Sequence, residues 1–137
     1  MSLSPLEDLH QGIFKTLSQS PELTDLLGGV KVYDRLPDRA KPPYLVIGDM
    51  TATDWSTATE PGEVISFTLH VWSRAPDRQQ CHGLVDAVKA LLHEGQIALT
   101  DHHLINLRCL FSEVSRDVSG RVLHGLIRFR AVTEPRA

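Results

Sequence analysis

The sequence has no apolar run near the ~20 residues that a helix needs to cross a bilayer, so no membrane partner is expected. Its first residues, MSLSPLEDLH, have neither a basic start nor an apolar segment after it, and no signal peptide is expected. Lys and Arg form no cluster: 14 of them are spread along the chain against 17 Asp and Glu, for a net charge of −3. That leaves no electrostatic footprint for nucleic acid, and no sequence-specific nucleic-acid partner is expected. Cysteine is scarce. Cys81 and Cys109 both fall in apolar patterns, which reads as two buried thiols in a reducing compartment, with a disulfide as the alternative.

Catalytic motifs are missing as well. Ser56, Ser73 and Ser119 lack the Gly-x-Ser-x-Gly setting of a nucleophile. Gly28-Gly29 lacks the Lys of a phosphate loop and reads as a helix stop. The histidines show no His-x-x-x-His spacing, and adjacent His102 and His103 face opposite ways on an extended chain. His70 and His124 fall on the polar faces of two strands, where the ordinary expectation is two solvated side chains and the alternative is that they meet across the sheet. The expectation is no catalytic residue, no metal and no cofactor.

What is present is one unambiguous strand. In Glu63–Arg74 (EVISFTLHVWSR), Ile65, Phe67, Leu69 and Val71 alternate with Ser66, Thr68 and His70, the period-two pattern of a half-buried strand. The 137 residues suit one domain, 1–137, with one core. Ser4-Pro5 opens a helix to about Ser18 with an apolar stripe of Leu6, Leu9, Ile13, Phe14 and Leu17. Ser20-Pro21 opens a shorter one carrying Leu23, Leu26 and Leu27. A short strand is expected at 30–33, a proline-rich loop at 34–43, and a strand from Tyr44 that extends toward Thr53.

After Glu63–Arg74, Ala75-Pro76-Asp77 breaks the strand, and Asp77 caps the main helix. Its stripe is Cys81, Leu84, Val85, Val88, Leu91 and Leu92, with Gly95 as the stop. Ile97–Leu99 is a short strand or an extended connection. Leu104–Arg116 is a long strand with Ile105, Leu107, Cys109 and Phe111 on one face; Val114 is out of phase, which calls for a bulge near Ser112. Arg121–Thr133 returns alongside it with Leu123, Ile127, Phe129 and Ala131 inward, and Gly125 marks a close approach or a bend. Residues 134–137 form a tail. The fold class is α+β: a mostly antiparallel sheet of about four to five strands, a long C-terminal hairpin, and helices packed on one face.

One residue does not fit a solvated loop. Trp55, in Asp54-Trp55-Ser56-Thr57, either folds back on its own domain or belongs to an interface, where Trp is enriched. The polar turns at 60–62 and 117–121 are hairpin tips that often reach a neighbour.

Taken in order, these segments resemble the gp17-like or minor-tail type of phage tail-completion proteins, long catalogued as a domain of unknown function. The carriers are Leu26-Leu27-Gly28-Gly29 with Val32-Tyr33-Asp34, then Pro43-Tyr44-Leu45-Val46-Ile47-Gly48 and Thr53-Asp54-Trp55-Ser56-Thr57. Leu69-His70-Val71-Trp72-Ser73 follows, and then His124-Gly125, Arg128-Phe129-Arg130-Ala131 and Thr133-Glu134. The resemblance implies a structural protein, not an enzyme: a tail terminator of phages or gene transfer agents. Such a subunit forms a ring, usually hexameric, on the head-proximal end of the tail tube, stops tube growth and docks the head connector. The implied partners are further copies of the chain, the tail tube protein and the connector or stopper protein. The implied location is the bacterial cytoplasm during assembly and then the tail of the particle. Asp54, Trp55, Arg116, Asp117 and Arg121 are the candidate subunit or tube contacts. Three alternatives stand beside this: a head-completion or stopper protein, a small metal-dependent hydrolase using His70 and His124, and a regulatory binding module left by a prophage.

Overall fold

Five strands make one sheet in the order β1-β2-β3-β5-β4, and its central strand, β3, is the alternating segment Glu63–Arg74. The computed structural model describes residues 3–57, 59–74 and 77–136. Helices α1 (Pro5–Ser18) and α2 (Pro21–Leu27) precede strands β1 (Val32–Tyr33) and β2 (Tyr44–Asp54); α3 (Arg78–Leu92), β4 (His102–Arg116) and β5 (Val122–Pro135) follow β3. β1 runs parallel to β2; every other pairing is antiparallel. The α+β class and the long C-terminal hairpin are as the sequence implies.

Local chemistry sets the helix ends. The Ser4 hydroxyl accepts from the Glu7 amide and the Ser20 hydroxyl from the Leu23 amide, with proline in the first turn of each helix. α2 stops where Gly28 turns left-handed at φ 76°. Asp77 caps α3 by accepting from the Gln80 amide; Ala75-Pro76, expected to end the strand, lies outside the described residues. α3 ends at Leu92, before Gly95, because Glu94 takes φ 56° and gives its amide to the Leu107 carbonyl (2.7 Å) instead of continuing the helix.

The core lies between the helices and the inner face of β3 and β5. Ile65, Leu69, Val71, Leu84, Val88, Leu123, Ile127, Phe129 and Ala131 are fully enclosed. Phe67 stacks on Phe129 with centroids 5.2 Å apart. At about 1.5–3 kcal/mol for each large apolar side chain buried, this docking is the main stabilising term. Gly125 sits under α3, where a Cβ would stand 2.7 Å from Val85 Cγ2; this is the close approach the sequence marked. Ile97–Leu99 forms an extended connection with no strand, and it packs on α1 beside Gly12.

Strand β4 departs from its expected phase. Its register slips at Leu104/Asn106 and again at Cys109/Phe111, not near Ser112. Each slip inserts one residue and exchanges the faces of everything beyond it. Leu107 therefore points inward, while Ile105 (53% exposed) and Phe111 (44%) point outward. Val114 is brought back onto the core. Cys109 is partly exposed rather than buried, and Cys81 and Cys109 are both free thiols. On the helices, Phe14 and Leu26 face solvent rather than the core. Residues 134 and 135, expected as tail, belong to β5, and the Arg136 amide then donates to the Asp101 carbonyl; the last tail residue, Ala137, lies outside the described residues.

Candidate functional site

The five candidate contact residues fall into two groups at opposite ends of the sheet. Asp54 ends β2 opposite Glu63, and Glu63 pairs in turn with Thr133. At the far end Arg74 pairs with Val122, next to the turn that holds Asp117 and Arg121. With eleven steps of about 3.3 Å along β3, the ends are roughly 36 Å apart.

At the first end a web of short-range bonds shapes the β2–β3 loop. The Asp54 carboxylate accepts from the Ser56 hydroxyl (2.6 Å) and the Ser56 amide (3.0 Å), and these bonds lower its pKa. The Trp55 amide donates to the Gly62 carbonyl (2.9 Å) and the Thr57 amide to the Glu60 carbonyl (2.7 Å). Trp55 is held at the loop base but stays 56% exposed. The Arg130 guanidinium lies over its ring, 5.8 Å from the ring centre. Between this loop and the ends of β4 and β5 lies a groove of about 380 Å³, with Trp55, Pro61, Ile105 and Val132 as its apolar wall.

The second end is the β4–β5 turn. Asp117 is its organiser: its carboxylate accepts from the Val118 amide (2.7 Å) and the Ser119 hydroxyl (3.0 Å). Its own amide donates to the Val122 carbonyl (3.0 Å). The Asp117 carboxylate thus serves its own turn. Val118, which the sequence reading passed over, stands fully exposed at the tip. Among the described residues the ion pairs are His10–Asp34 and His102–Asp8, so Arg116 and Arg121 point out of the domain without an acidic partner in it.

The outer face of the sheet carries a third feature. His70 and His124 meet across β3 and β5, with His70 Nδ1 2.8 Å from His124 Nε2. His124 also stacks on Trp72 at 4.2 Å. Burial lowers the pKa of both rings, and the His70 charge lowers that of His124 further. Both rings are therefore neutral at pH 7, one donating and the other accepting. Among the described residues no third Asp, Glu, Cys or His joins them in a group able to hold a metal ion.

Of the two adjacent histidines, His103 is exposed and His102 is not. It is buried, and its Nδ1 bonds the Asp8 carboxylate at 2.7 Å. The amides of Thr100 (2.9 Å) and Asp101 (2.8 Å) donate to the same carboxylate. Asp8 stands in the first turn of α1, where an acid is ordinary, so the sequence carried no signal of this contact. This cluster fastens α1 to the start of β4.

The chain was compared with known proteins. The family model described as tail completion protein gp17 matches residues 11–134. Tail completion protein gp17 of Bacillus phage SPP1 is 30% identical over 93 residues, covering 64% of this chain and 65% of that protein. The match thus spans just under two thirds of that relative's length. Among solved structures, a chain in the virion of a native gene transfer agent particle superposes with a TM-score of 0.85 at 24% identity, covering 97% of this chain and 99% of that one. The structure of bacteriophage SPP1 gp17 superposes with a TM-score of 0.61 at 21% identity, covering 91% and 88%. At these identities the two superpositions establish a shared fold.

Proposed function

The chain belongs to the tail completion protein gp17 family, and from that premise we propose that it is a tail terminator. It is a structural tail protein and not an enzyme. In the proposed role the whole chain, 1–137, acts as one domain and assembles with further copies into a ring, six in number by our reading. The ring seats on the head-proximal end of the tail tube, stops tube growth and offers its other side to the head connector or stopper protein. Assembly takes place in the bacterial cytoplasm, and the protein ends in the tail of a phage or a gene transfer agent particle.

The observation that carries this reading is the extent of the family match. It covers residues 11–134, from within α1 to within β5, so the reading draws on nearly every element of the chain. The fold shared with a chain of an assembled gene transfer agent particle, over nearly the full length of both, supports the same role. The surface agrees in kind. Function lies in contact, and the exposed Trp55 together with the unpaired Arg116 and Arg121 are the side chains we assign to contacts with neighbouring subunits or the tube. Asp54 and Asp117 hold the two loops that present them.

The test is electron microscopy of particles from a strain lacking the gene. Overlong or irregular headless tails beside filled heads are the expected result. Tails of normal length beside heads that leak DNA would instead make the protein a head-completion or stopper protein. Normal infectious particles would remove it from assembly.

A further inference from the structure

The two ends of the sheet differ in shape and in charge, and the differences are complementary. At one end the β4–β5 turn ends in Val118, an apolar side chain wholly in solvent. Arg116 and Arg121 flank it, and Arg74 ends the neighbouring strand. The one acidic residue of the turn, Asp117, spends its carboxylate on the Val118 amide and the Ser119 hydroxyl. The tip is thus a fixed, basic, apolar-ended projection. At the other end the groove beside Trp55 has an apolar wall of Trp55, Pro61, Ile105 and Val132. Glu60 and Glu134 stand at its rim, and Asp54 and Glu63 face each other beside it at the ends of β2 and β3. The cations near it are turned elsewhere or held: Arg130 lies against the Trp55 ring, Arg108 is its partner on β4, and the Arg136 guanidinium donates to the Leu99 carbonyl.

We propose that the Val118 tip of one copy seats in the Trp55 groove of the next copy. This rests on the ring reading above and specifies which surfaces of neighbouring subunits pair. The tip and the groove lie at opposite ends of the same strands, so no copy can satisfy its own groove. Each copy offers one of each, which makes the contact heterologous: it propagates head to tail and closes wherever the rotation between copies closes. Apolar tip on apolar wall supplies the burial. Arginines over an acidic rim fix orientation and reject tip-to-tip and groove-to-groove encounters.

Disulfide trapping in assembled particles tests this. The chain would carry Val118→Cys and Ile105→Cys together, with Cys109→Ser removing the other accessible thiol. Positions 118 and 105 are separated by most of the length of the β4–β5 hairpin, far beyond the ~7 Å limit for a bridge within one chain. The expected result under mild oxidation is a ladder of covalent oligomers, with single-cysteine chains staying monomeric. Particles that contain the protein and finish their tails yet yield only monomer from the double-cysteine chain would overturn the tip-in-groove contact and leave the terminator reading intact. Dimers from Val118→Cys alone would overturn it too, because they place tip against tip. A ladder in a protein whose loss leaves tails normal would keep the contact and remove the terminator reading. Charge exchange gives a second measurement that does not depend on thiols. Arg121→Glu and Glu60→Arg should each lower the fraction of finished tails, and the two together should restore it; failure of the pair to restore would count against the contact.

Discussion

Asp8 is the side chain on which the join between the first helix and the fourth strand turns. Burial alone would raise its pKa, but the bonds from His102, Thr100 and Asp101 outweigh burial and hold it below the ordinary 3.8. Asp8→Ala strands three donors in a closed site, and it should lower the unfolding free energy by about 3 kcal/mol, read from urea denaturation at pH 7. Because the folded-state pKa lies below the unfolded one, the carboxylate's contribution is complete above pH 3.8 and is lost as pH falls through the folded value. The gap between wild type and Asp8→Ala should therefore narrow in strong acid. His70 and His124 act in a higher window. Both titrate below 6.5 when folded, so the unfolded chain takes up their protons first, and stability should fall as pH drops from 6.5 through their folded values. His124→Phe keeps a ring against Trp72 and removes one of these protons. It should flatten the decline in urea midpoint between pH 7 and pH 5; an unchanged slope would show that the pair does not carry it. The meeting of His70 and His124 was only half legible: the sequence put both on polar strand faces, and the β3–β5 pairing decides that they meet rather than stand apart in solvent. The Asp8–His102 bond was not legible, since it spans 94 positions and no local pattern encodes such a contact.

Among the elements, β3 was legible to the residue and β4 was not, for a physical reason. β3 is central and alternates without a break, so burial on one face fixes its register. β4 is an edge strand with two slips, and an edge strand keeps only one partner to hold it in phase. Expecting a single bulge put Ile105 and Phe111 on the core, whereas two slips turn both outward, where Phe111 lies 5.8 Å from the Arg128 guanidinium. The docking of α3 was readable from its apolar stripe, while Gly125 was readable only as a close approach or a bend. Its absent side chain leaves room for Val85, with Val71 Cβ and Cys81 Sγ 3.3 and 3.4 Å from where a Cβ would be. Gly125→Ala should therefore lift α3 off β5. Overpacking of this kind costs about 1–3 kcal/mol, and the loss should appear as a lower melting temperature with little change in the far-ultraviolet circular dichroism spectrum. Val85→Ala in the same chain should recover part of the loss, because Val85 Cγ2 is the nearest clashing atom at 2.7 Å.

For the whole molecule, the sequence named the loops that present the candidate contact residues but not how they are arranged. Asp54 and Trp55 on one side, and Arg116, Asp117 and Arg121 on the other, looked like one set of loop residues. The sheet separates them by its full length and gives one end an acidic rim and the other a basic tip. Val118 escaped notice because exposure at a turn has no sequence signature beyond the turn itself. A subunit with unlike ends is suited to a contact repeated in one direction, and such contacts are commonly dominated by one buried aromatic. Trp55 is the residue so placed. Being 56% exposed in the single chain, it contributes little to folding, and Trp55→Ala should leave the unfolding free energy within about 0.5 kcal/mol of wild type. In the assembly it should cost about 2 kcal/mol per contact, or roughly thirtyfold in affinity. Because the proposed ring would repeat that loss at every joint, the variant should fold normally yet yield mostly unfinished tails, counted by electron microscopy beside a thermal melt of the same protein. Normal tail lengths from a normally folded Trp55→Ala would take Trp55 out of the interface. The burial of Val118 would then rest on Pro61, Ile105 and Val132, with exposed charge pairs of about 0–1 kcal/mol each adding orientation rather than strength.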